Sequence, residues 1–221
     1  MINPDCVVLV FSKAPVPGNV KTRLLPALSA NAAARLYREL LERTLCTVTS
    51  NARWHTQLWC TPVTDDPCFI ECRDKYQLQL RLQSGSDIGE RMYRAIAANL
   101  PQYQSLLLVG CDCPELQSAD LETARDKLAN GYDIVLGPAT DGGYWLIGLR
   151  KHEPRLFEGI PWSTDTVFCE TLKRAKEMRL SVHQLRERRD IDTETDWLAF
   201  AKAHEIPHVF AVDASDDSPL R

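Results

Sequence analysis

Apolar runs and helical periods alternate along the chain, and this alternation predicts an α/β fold. Short runs such as residues 6–11 and 105–110 are apolar at almost every position, which is typical of strands covered on both faces of a parallel sheet. Between such runs, apolar residues recur at intervals of three and four, as in helices with one buried face. No linker or repeat interrupts the alternation. We therefore expect one domain of strand and helix units around a mostly parallel sheet.

The predicted elements follow from these periods and from the residues that begin helices. The run 105–110 is the candidate for the central strand, and the run 180–185 is expected at an edge. Helices are expected after residues that can accept a hydrogen bond from the first turn. The predicted strands are 6–11, 57–61, 78–82, 105–110, 133–136, 144–149 and 180–185, and the predicted caps are Ser29, Asp87, Ser118, Ser163 or Thr164, and Thr193.

The segment 13–24 directly follows the first predicted strand and concentrates positive charge. Two prolines and one glycine stop it from continuing as a strand or a helix, so its cations project from a loop. Open α/β sheets bind ligands at this end of their strands. Because the prolines lack N–H groups, side chains must bind an anion here, unlike in a Walker A loop. We predict an anion-binding loop, with a solvated basic loop as the alternative; the candidate phosphate-binding residues are Lys13, Gly18, Lys21, Thr22 and Arg23.

Composition narrows the class of protein. The 221 residues are 44% hydrophobic, enough for a proper core, and the net charge of -4 argues against nucleic acid as a partner. No run approaches the roughly 18 apolar residues of a membrane span, so we expect a soluble, cytoplasmic protein. Most of the eight cysteines are expected to be reduced thiols. We reject structural zinc because the spacings at residues 68–72 and 111–113 have no matching second pair.

Two acidic loops could supply a metal site. Asp112 follows the central predicted strand and so lies at the carboxyl edge of the sheet. Asp192 belongs to an acidic cluster, residues 190–196, that precedes the last predicted helix. Two carboxylates on separate loops suit Mg²⁺, which is usually held by one or two carboxylates and by phosphate oxygens. A turn residue and a helix cap are the alternatives, and Thr193 and Asp196 have the spacing of a capping box.

Further candidates lie in glycine-rich and aromatic segments. In residues 137–145, paired glycines permit close approach of the backbone and the aromatic residues could line a pocket, although a hairpin turn explains the glycines equally well. Asp87 and Arg91 could contact another part of a substrate. The chain has no Gly-x-Ser-x-Gly motif, and its histidines lie in edge or tail segments, which argues against serine or cysteine nucleophiles. The candidate substrate residues are Asp141, Gly142, Gly143, Tyr144 and Trp162.

These segments, in this order, resemble a bacterial family of uncharacterised transferases with the glycosyltransferase-A, or nucleotide-diphospho-sugar transferase, fold. The first segment is also similar to the corresponding loop of 2-phospholactate guanylyltransferase, and residues 191–196 are similar to the metal motif of cytidylyltransferases that act on sugar acids. Cys111 stands where the family has Ser or Thr, and Asp112 is not followed by the second acid of a DxD motif. The matching segments are residues 13–24, 87–92, 110–114, 137–144, 161–167 and 190–196.

The resemblance implies a Rossmann-like three-layer sandwich with a mostly parallel mixed sheet, in which residues 1–205 form the nucleotide-binding domain and 206–221 a C-terminal tail. It implies Mg²⁺ or Mn²⁺ on Asp112 and Asp192, with Asp87 near the nucleotide. We expect a nucleotide-activated donor and a small-molecule acceptor, with Lys21, Arg23 and Asp112 as catalytic residues. Glycosyl transfer is favoured. Two alternatives stay open: transfer of a nucleotidyl unit from an NTP to a small phosphorylated or acidic acceptor, and an inactive nucleotide-binding protein. A homodimer is also possible.

Overall fold

A seven-stranded mixed sheet organises the chain. The structure is a computed structural model that describes residues 5–25 and 27–203. The sheet has the order β3-β2-β1-β4-β6-β5-β7, with β6 antiparallel to both its neighbours and every other pair parallel. The α/β class, the central strand and the edge strand are therefore confirmed. The strands are β1 Cys6–Lys13, β2 His55–Thr61, β3 Gln79–Leu82, β4 Ser105–Val109, β5 Ile134–Pro138, β6 Tyr144–Leu149 and β7 Val182–Gln184.

Most of the predicted helix starts are confirmed. The Ser29 side chain accepts a hydrogen bond from the backbone N–H of Ala32 at 3.2 Å, and Asp87 accepts one from Glu90 at 2.8 Å. Thr193 and Asp196 form the predicted capping box. The Asp196 carboxylate accepts hydrogen bonds from the backbone N–H and the hydroxyl of Thr193, and the Asp196 N–H donates to that hydroxyl. The helices are α1 Ala30–Thr49, α2 Pro67–Tyr76, α3 Ile88–Asn99, α4 Ser118–Ala129, α5 Val167–Glu177 and α6 Glu194–Ala203.

Three local predictions were wrong or incomplete. Helix α2 was not predicted, although Pro67 occupies its first turn and Asp66 caps it, because too few apolar positions recur in this stretch. Gln117, one residue earlier than predicted, caps α4. Neither Ser163 nor Thr164 begins α5, because Ser163 has a left-handed backbone (φ 65°) and the helix starts only at Val167.

The core forms two layers on the faces of the sheet and a third cluster at one end. Alternate residues of β1 face α1, α2 and α4 on one side, and α3 and α5 on the other, which makes the expected three-layer sandwich. The third cluster joins Leu24, Ile191, Trp197 and residues of α1. It holds the segment before α6 against the segment after β1. Within residues 5–25 and 27–203, no helix is long and apolar enough to cross a membrane. The predicted tail 206–221 lies outside the described residues.

Candidate functional site

The loop after β1 is anchored by its apolar residues and presents one lysine inward. Val20 and Leu24 are buried, and a short 3-10 helix, Thr22–Leu24, follows Lys21. Lys21 itself has a left-handed backbone (φ 48°, ψ 39°), which is unusual for a residue with a Cβ. Its side chain is only 4% exposed. The loop therefore buries the ammonium group beneath its own surface.

The ammonium of Lys21 lies between the two predicted metal ligands. Its Nζ is 2.5 Å from Oδ1 of Asp112 and donates a hydrogen bond of 2.9 Å to Oδ1 of Asp192. The same Nζ lies 5.8 Å from the centre of the Tyr37 ring. Burial opposes the charge, but the two carboxylates outweigh it and hold the pKa of Lys21 above its ordinary value. Three residues that are far apart in the sequence thus meet at one point.

Backbone contacts fix the two acidic loops to each other. The N–H of Ile191 donates a hydrogen bond of 2.9 Å to the carbonyl of Asp112, and the buried Ile191 side chain packs in the same cluster as Leu24. Arg43 of α1 donates to the carbonyl of Pro114 at 2.7 Å. Because main-chain bonds hold both loops, the positions of Asp112 and Asp192 do not depend on Lys21 alone.

Tyr37 ties the base of the cationic loop to the residue before Asp112. Its hydroxyl accepts a hydrogen bond of 2.9 Å from the backbone N–H of Lys13 and lies 3.2 Å from the Ser12 hydroxyl. The thiol of Cys111 donates to the same Ser12 oxygen at 3.7 Å. Burial raises the pKa of Cys111 to about 12 and raises that of Tyr37 well above its ordinary value. These groups are therefore neutral and structural.

Two cavities open at this edge of the sheet and share Arg23, Asp112 and Asp192 in their walls. We call the smaller one, about 290 Å³, the loop cavity, and the larger one, about 590 Å³, the aromatic cavity. A further cavity of about 340 Å³ beside His55 contains none of the predicted site residues. The loop cavity is otherwise lined by Lys13, Asn19, Val20, Lys21, Thr22 and Tyr37. The aromatic cavity is otherwise lined by Ile88, Met92, Asp141, Gly143, Tyr144, Trp162, Ser163, Thr164, Asp165, Val167 and Asp190.

Two glycines allow the loops of the aromatic cavity to pack closely. Gly89, in the first turn of α3, lies under Trp162, and a Cβ at this position would fall 2.0 Å from the indole Nε1. Gly142 has φ 87°, and its Cβ would fall 1.9 Å from the carbonyl oxygen of Asp165. Neither contact leaves room for a side chain. The loop after β5 and the loop before α5 are therefore held together by backbone packing.

The structure brings most of the predicted site residues together. Gly18, Gly142 and Asp87 do not line either cavity: Gly18 and Gly142 shape their loops with positive φ, and Asp87 caps α3. Trp145 does not line the aromatic cavity, because its side chain is buried and its ring packs on Gly137. The predicted residues that line a cavity are Lys13, Lys21, Thr22, Arg23, Asp112, Asp141, Gly143, Tyr144, Trp162 and Asp192.

The sequence did not single out several cavity residues. Asp190 was visible as part of the acidic cluster, but nothing distinguished it from its neighbours. Tyr37 and Met92 carried no signal because each occupies an apolar helical position and looks like a core residue. Asp165 lies in a segment whose sequence predicts the start of a helix, so the pattern indicates a helix cap for its carboxylate and not a cavity residue.

The charges and donor atoms of the site fit a hard divalent cation. Among the residues that the structure describes, the buried Oδ1 of Asp190 has no hydrogen-bond partner, and the ammonium of Lys21 is the one polar contact of Oδ1 of Asp112. Burial, and then the nearby carboxylates of Asp112, Asp141 and Asp192, raise the pKa of Asp190. Within residues 5–25 and 27–203, no three His, Cys, Asp or Glu residues converge on one metal position. Two carboxylates, with other ligands from water and substrate, match the usual manner of holding Mg²⁺.

A protein family and several solved structures are similar to this chain. Residues 44–164, more than half of the chain, match the family model described as "Uncharacterized protein conserved in bacteria (DUF2064)". A protein from Desulfovibrio desulfuricans G20, provisionally described as a nucleotide-diphospho-sugar transferase, is 31% identical over 92% of this chain and 89% of its own, with a TM-score of 0.83. No curated protein matches the chain significantly by sequence.

More distant structures share the fold. The 4-diphosphocytidyl-2C-methyl-D-erythritol synthase of Anaerococcus prevotii DSM 20548 is 13% identical over 91% of this chain and 96% of its own, with a TM-score of 0.61. The glucosyl-3-phosphoglycerate synthase of Mycobacterium tuberculosis, solved with Mn²⁺, UDP and glucosyl-3-phosphoglycerate, is 11% identical over 89% and 75%, with a TM-score of 0.57. The chain therefore belongs to the bacterial family DUF2064 and has the fold of nucleotide-diphospho-sugar transferases.

Proposed function

We propose that this protein is a transferase that depends on a divalent metal ion and takes its group from a nucleotide-activated donor, with a nucleotide sugar as the favoured donor. The observation that carries the proposal is the shared wall of the two cavities, where Lys21 joins Asp112 and Asp192. The loop cavity supplies cations for a diphosphate, and the aromatic cavity has room for a second molecule. The Desulfovibrio protein supports the choice of donor through its description.

The charge of the cleft explains why a metal ion would be needed. Five carboxylates and three cations line the two cavities, so the cleft as it stands repels an anionic donor. The oxygens of Asp112 and Asp192 would hold Mg²⁺ or Mn²⁺. When bound, the ion would neutralise negative charge that develops on a departing diphosphate. The description of the Mycobacterium enzyme, solved with Mn²⁺ and UDP, supports the same choice of cofactor.

The protein's own residues would bind and orient the two substrates. Arg23 has no recorded protein partner within residues 5–25 and 27–203 and lies at the junction of the cavities, so its guanidinium is free to bind phosphate. Lys21, which lines the loop cavity together with Arg23, would help to stabilise the leaving phosphate. Trp162 and Tyr144 offer apolar faces against which a sugar ring or an acceptor can pack.

A thermal-shift panel of NDP-sugars and NTPs, with and without Mg²⁺, tests the proposal, because a specific ligand raises the melting temperature of the folded state. We expect an NDP-sugar to stabilise the protein only when Mg²⁺ is present. The stabilisation should disappear in Asp112→Asn and Asp192→Asn. Asp126→Asn, which removes a carboxylate from an exposed ion pair on α4, is the matched control. A panel in which no nucleotide raises the melting temperature contradicts the proposal.

Nucleotidyl transfer is the second candidate, and the cationic loop favours it. The loop gathers Lys13, Lys21 and Arg23 at one cavity, and a leaving pyrophosphate needs several cations. The two reactions differ in their products: glycosyl transfer releases a nucleoside diphosphate, whereas nucleotidyl transfer from an NTP releases pyrophosphate. Stabilisation by NTPs but not by NDP-sugars, followed by release of pyrophosphate with an acceptor, would select the second candidate.

A further inference from the structure

We propose that Lys21 competes with the divalent ion for the carboxylates of Asp112 and Asp192, so that metal binding releases this lysine to the donor phosphate. The inference deepens the proposed function and rests on its metal site. In the proposed function, the metal ion needs the carboxylate oxygens that Lys21 now contacts. The donor phosphate needs the Lys21 ammonium, which those oxygens now hold.

The contacts leave little room for both cations at their present positions. The ammonium is 2.5 Å from one carboxylate and 2.9 Å from the other, both through Oδ1. Asp112 and Asp192 are 37% and 35% exposed, whereas the lysine side chain is 4% exposed. An incoming divalent ion can thus reach the carboxylates from the cavities, but Oδ1 of Asp112 is buried against the ammonium, so the ion gains this oxygen only if the ammonium moves. Repulsion between the two cations is strong at such short range in a partly buried site.

The loop can release the side chain without unfolding. Its anchors, Val20 and Leu24, are buried on either side of Lys21, so the backbone stays in place while the four-carbon stem rotates. The loop cavity, which Lys21 already lines together with Lys13 and Arg23, is the adjacent space for the displaced ammonium. Tyr37 lines the same cavity, and its ring centre already lies 5.8 Å from the ammonium in its present position, so a small movement into the cavity can keep this contact.

The consequence is a positive coupling between metal and phosphate. The ion alone must displace Lys21 and therefore binds weakly, and the donor alone finds the lysine held by two carboxylates. Each ligand then makes the site more favourable for the other, and this linkage is reciprocal. The substitution Lys21→Met should accordingly strengthen binding of the metal alone while weakening binding of phosphate.

Titration with Mn²⁺ alone, followed by electron paramagnetic resonance, tests the competition without any activity assay. We expect Lys21→Met to bind Mn²⁺ about tenfold more tightly than the wild type, because a cation in contact with the ligands is removed. Arg23→Met is the matched control, since it removes the same charge from the same cleft but from a residue that contacts neither carboxylate, and it should change the affinity by less than about threefold. Equal affinities in Lys21→Met and Arg23→Met overturn the inference.

Two further measurements keep the test decisive if Lys21→Met folds poorly. Lys21→Gln keeps a hydrogen-bond donor without the charge and should show the same gain in Mn²⁺ affinity. In the wild type, Mg²⁺ should shift the NMR signal of the Lys21 ε-methylene, and an unchanged signal at saturating Mg²⁺ overturns the inference. If the wild type binds Mn²⁺ and neither Lys21 variant binds it more tightly, the inference is overturned but the metal site of the proposed function stands. If none of these proteins binds Mn²⁺ and no nucleotide stabilises them, the metal site of the proposed function fails, and the inference fails with it.

Discussion

The loop cavity and the aromatic cavity share a wall but are built in different ways. The cations of the loop cavity come from one continuous stretch of the chain, residues 13–23, directly after β1. The aromatic cavity is assembled from α3, the loop after β5 and the loops before α5 and α6. The cations of one cavity are therefore encoded locally, whereas the other cavity exists only because distant segments pack against each other.

The two cavities also differ in charge and in the freedom of their backbones. Among the described residues, three cations and two carboxylates line the loop cavity, whereas five carboxylates and one cation, the shared Arg23, line the aromatic cavity. Gly18 of the cationic loop has open space around it, but Gly142 is packed against Asp165. The cationic loop thus has open space at its glycine, whereas the loops of the aromatic cavity are closely packed. Under the proposed function, the first would bind phosphate and the second would orient the other substrate.

The largest expected effect is a loss of stability on replacing a glycine, which should be greater at Gly142, beside the aromatic cavity, than at Gly18 in the cationic loop. Gly142→Ala should destabilise the protein by about 3 kcal/mol or more, because its Cβ would collide with backbone and its φ is strained. Gly18→Ala meets only the strain of its positive φ and should cost about 1 kcal/mol. Urea unfolding of both variants measures the difference. Equal losses would show that the loops do not differ in rigidity.

Gly89→Ala should disturb the aromatic cavity alone. The added methyl group would overlap the Trp162 ring and should cost about 1–3 kcal/mol through overpacking. In a Trp162→Ala background the same change should cost nothing, since the colliding ring is gone, and a double-mutant cycle of unfolding free energies measures this coupling. Pyrophosphate with Mg²⁺ should still stabilise both variants. Additive effects of the two substitutions would contradict the contact.

Arg23→Met should affect ligand binding and leave stability unchanged. The exposed guanidinium has no recorded partner within residues 5–25 and 27–203, so the free energy of unfolding should change by less than about 0.5 kcal/mol. Loss of a charge-assisted hydrogen bond should weaken binding of pyrophosphate with Mg²⁺ by about tenfold. Calorimetric titration measures the affinity, and Arg179→Met, a cation remote from both cavities, is the control. Unchanged affinity would remove Arg23 from the phosphate site.

The smallest effect concerns the cysteines beside Asp112. Burial raises the pKa of Cys111 and Cys113 to about 12, so at pH 8 iodoacetamide should modify the exposed Cys46 and Cys169 first. These raised pKa values make the folded state retain protons that the unfolded chain releases. The free energy of unfolding should therefore fall as the pH rises from about 9 to about 12. Mass spectrometry and unfolding curves check both statements, and rapid native alkylation of Cys111 would contradict them.

The sequence predicted the fold, and it placed the cationic part of the candidate site directly after β1. Continuous apolar runs identified β1 and β4, and a strand apolar on both faces had to lie inside the sheet. The cations at Lys13, Lys21 and Arg23 were visible because they interrupt the pattern directly after a strand. The sequence could not show that Lys21 lies between Asp112 and Asp192. These residues are far apart in the chain, and their contact depends on how three loops pack against each other.

By itself, the sequence determined the alternation of strands and helices, the mostly parallel sheet and the position of the cationic loop, because hydrophobic periodicity and turn residues act over a few neighbouring positions. Only the tertiary structure decided which charges meet. The packing of Ile191 with Leu24 and its hydrogen bond to the Asp112 backbone place two distant acids on one buried lysine. Packing elsewhere leaves Trp145 on Gly137 in the core and Trp162 on Gly89 in the cavity wall, since burial is set by neighbours from other segments rather than by the residue type.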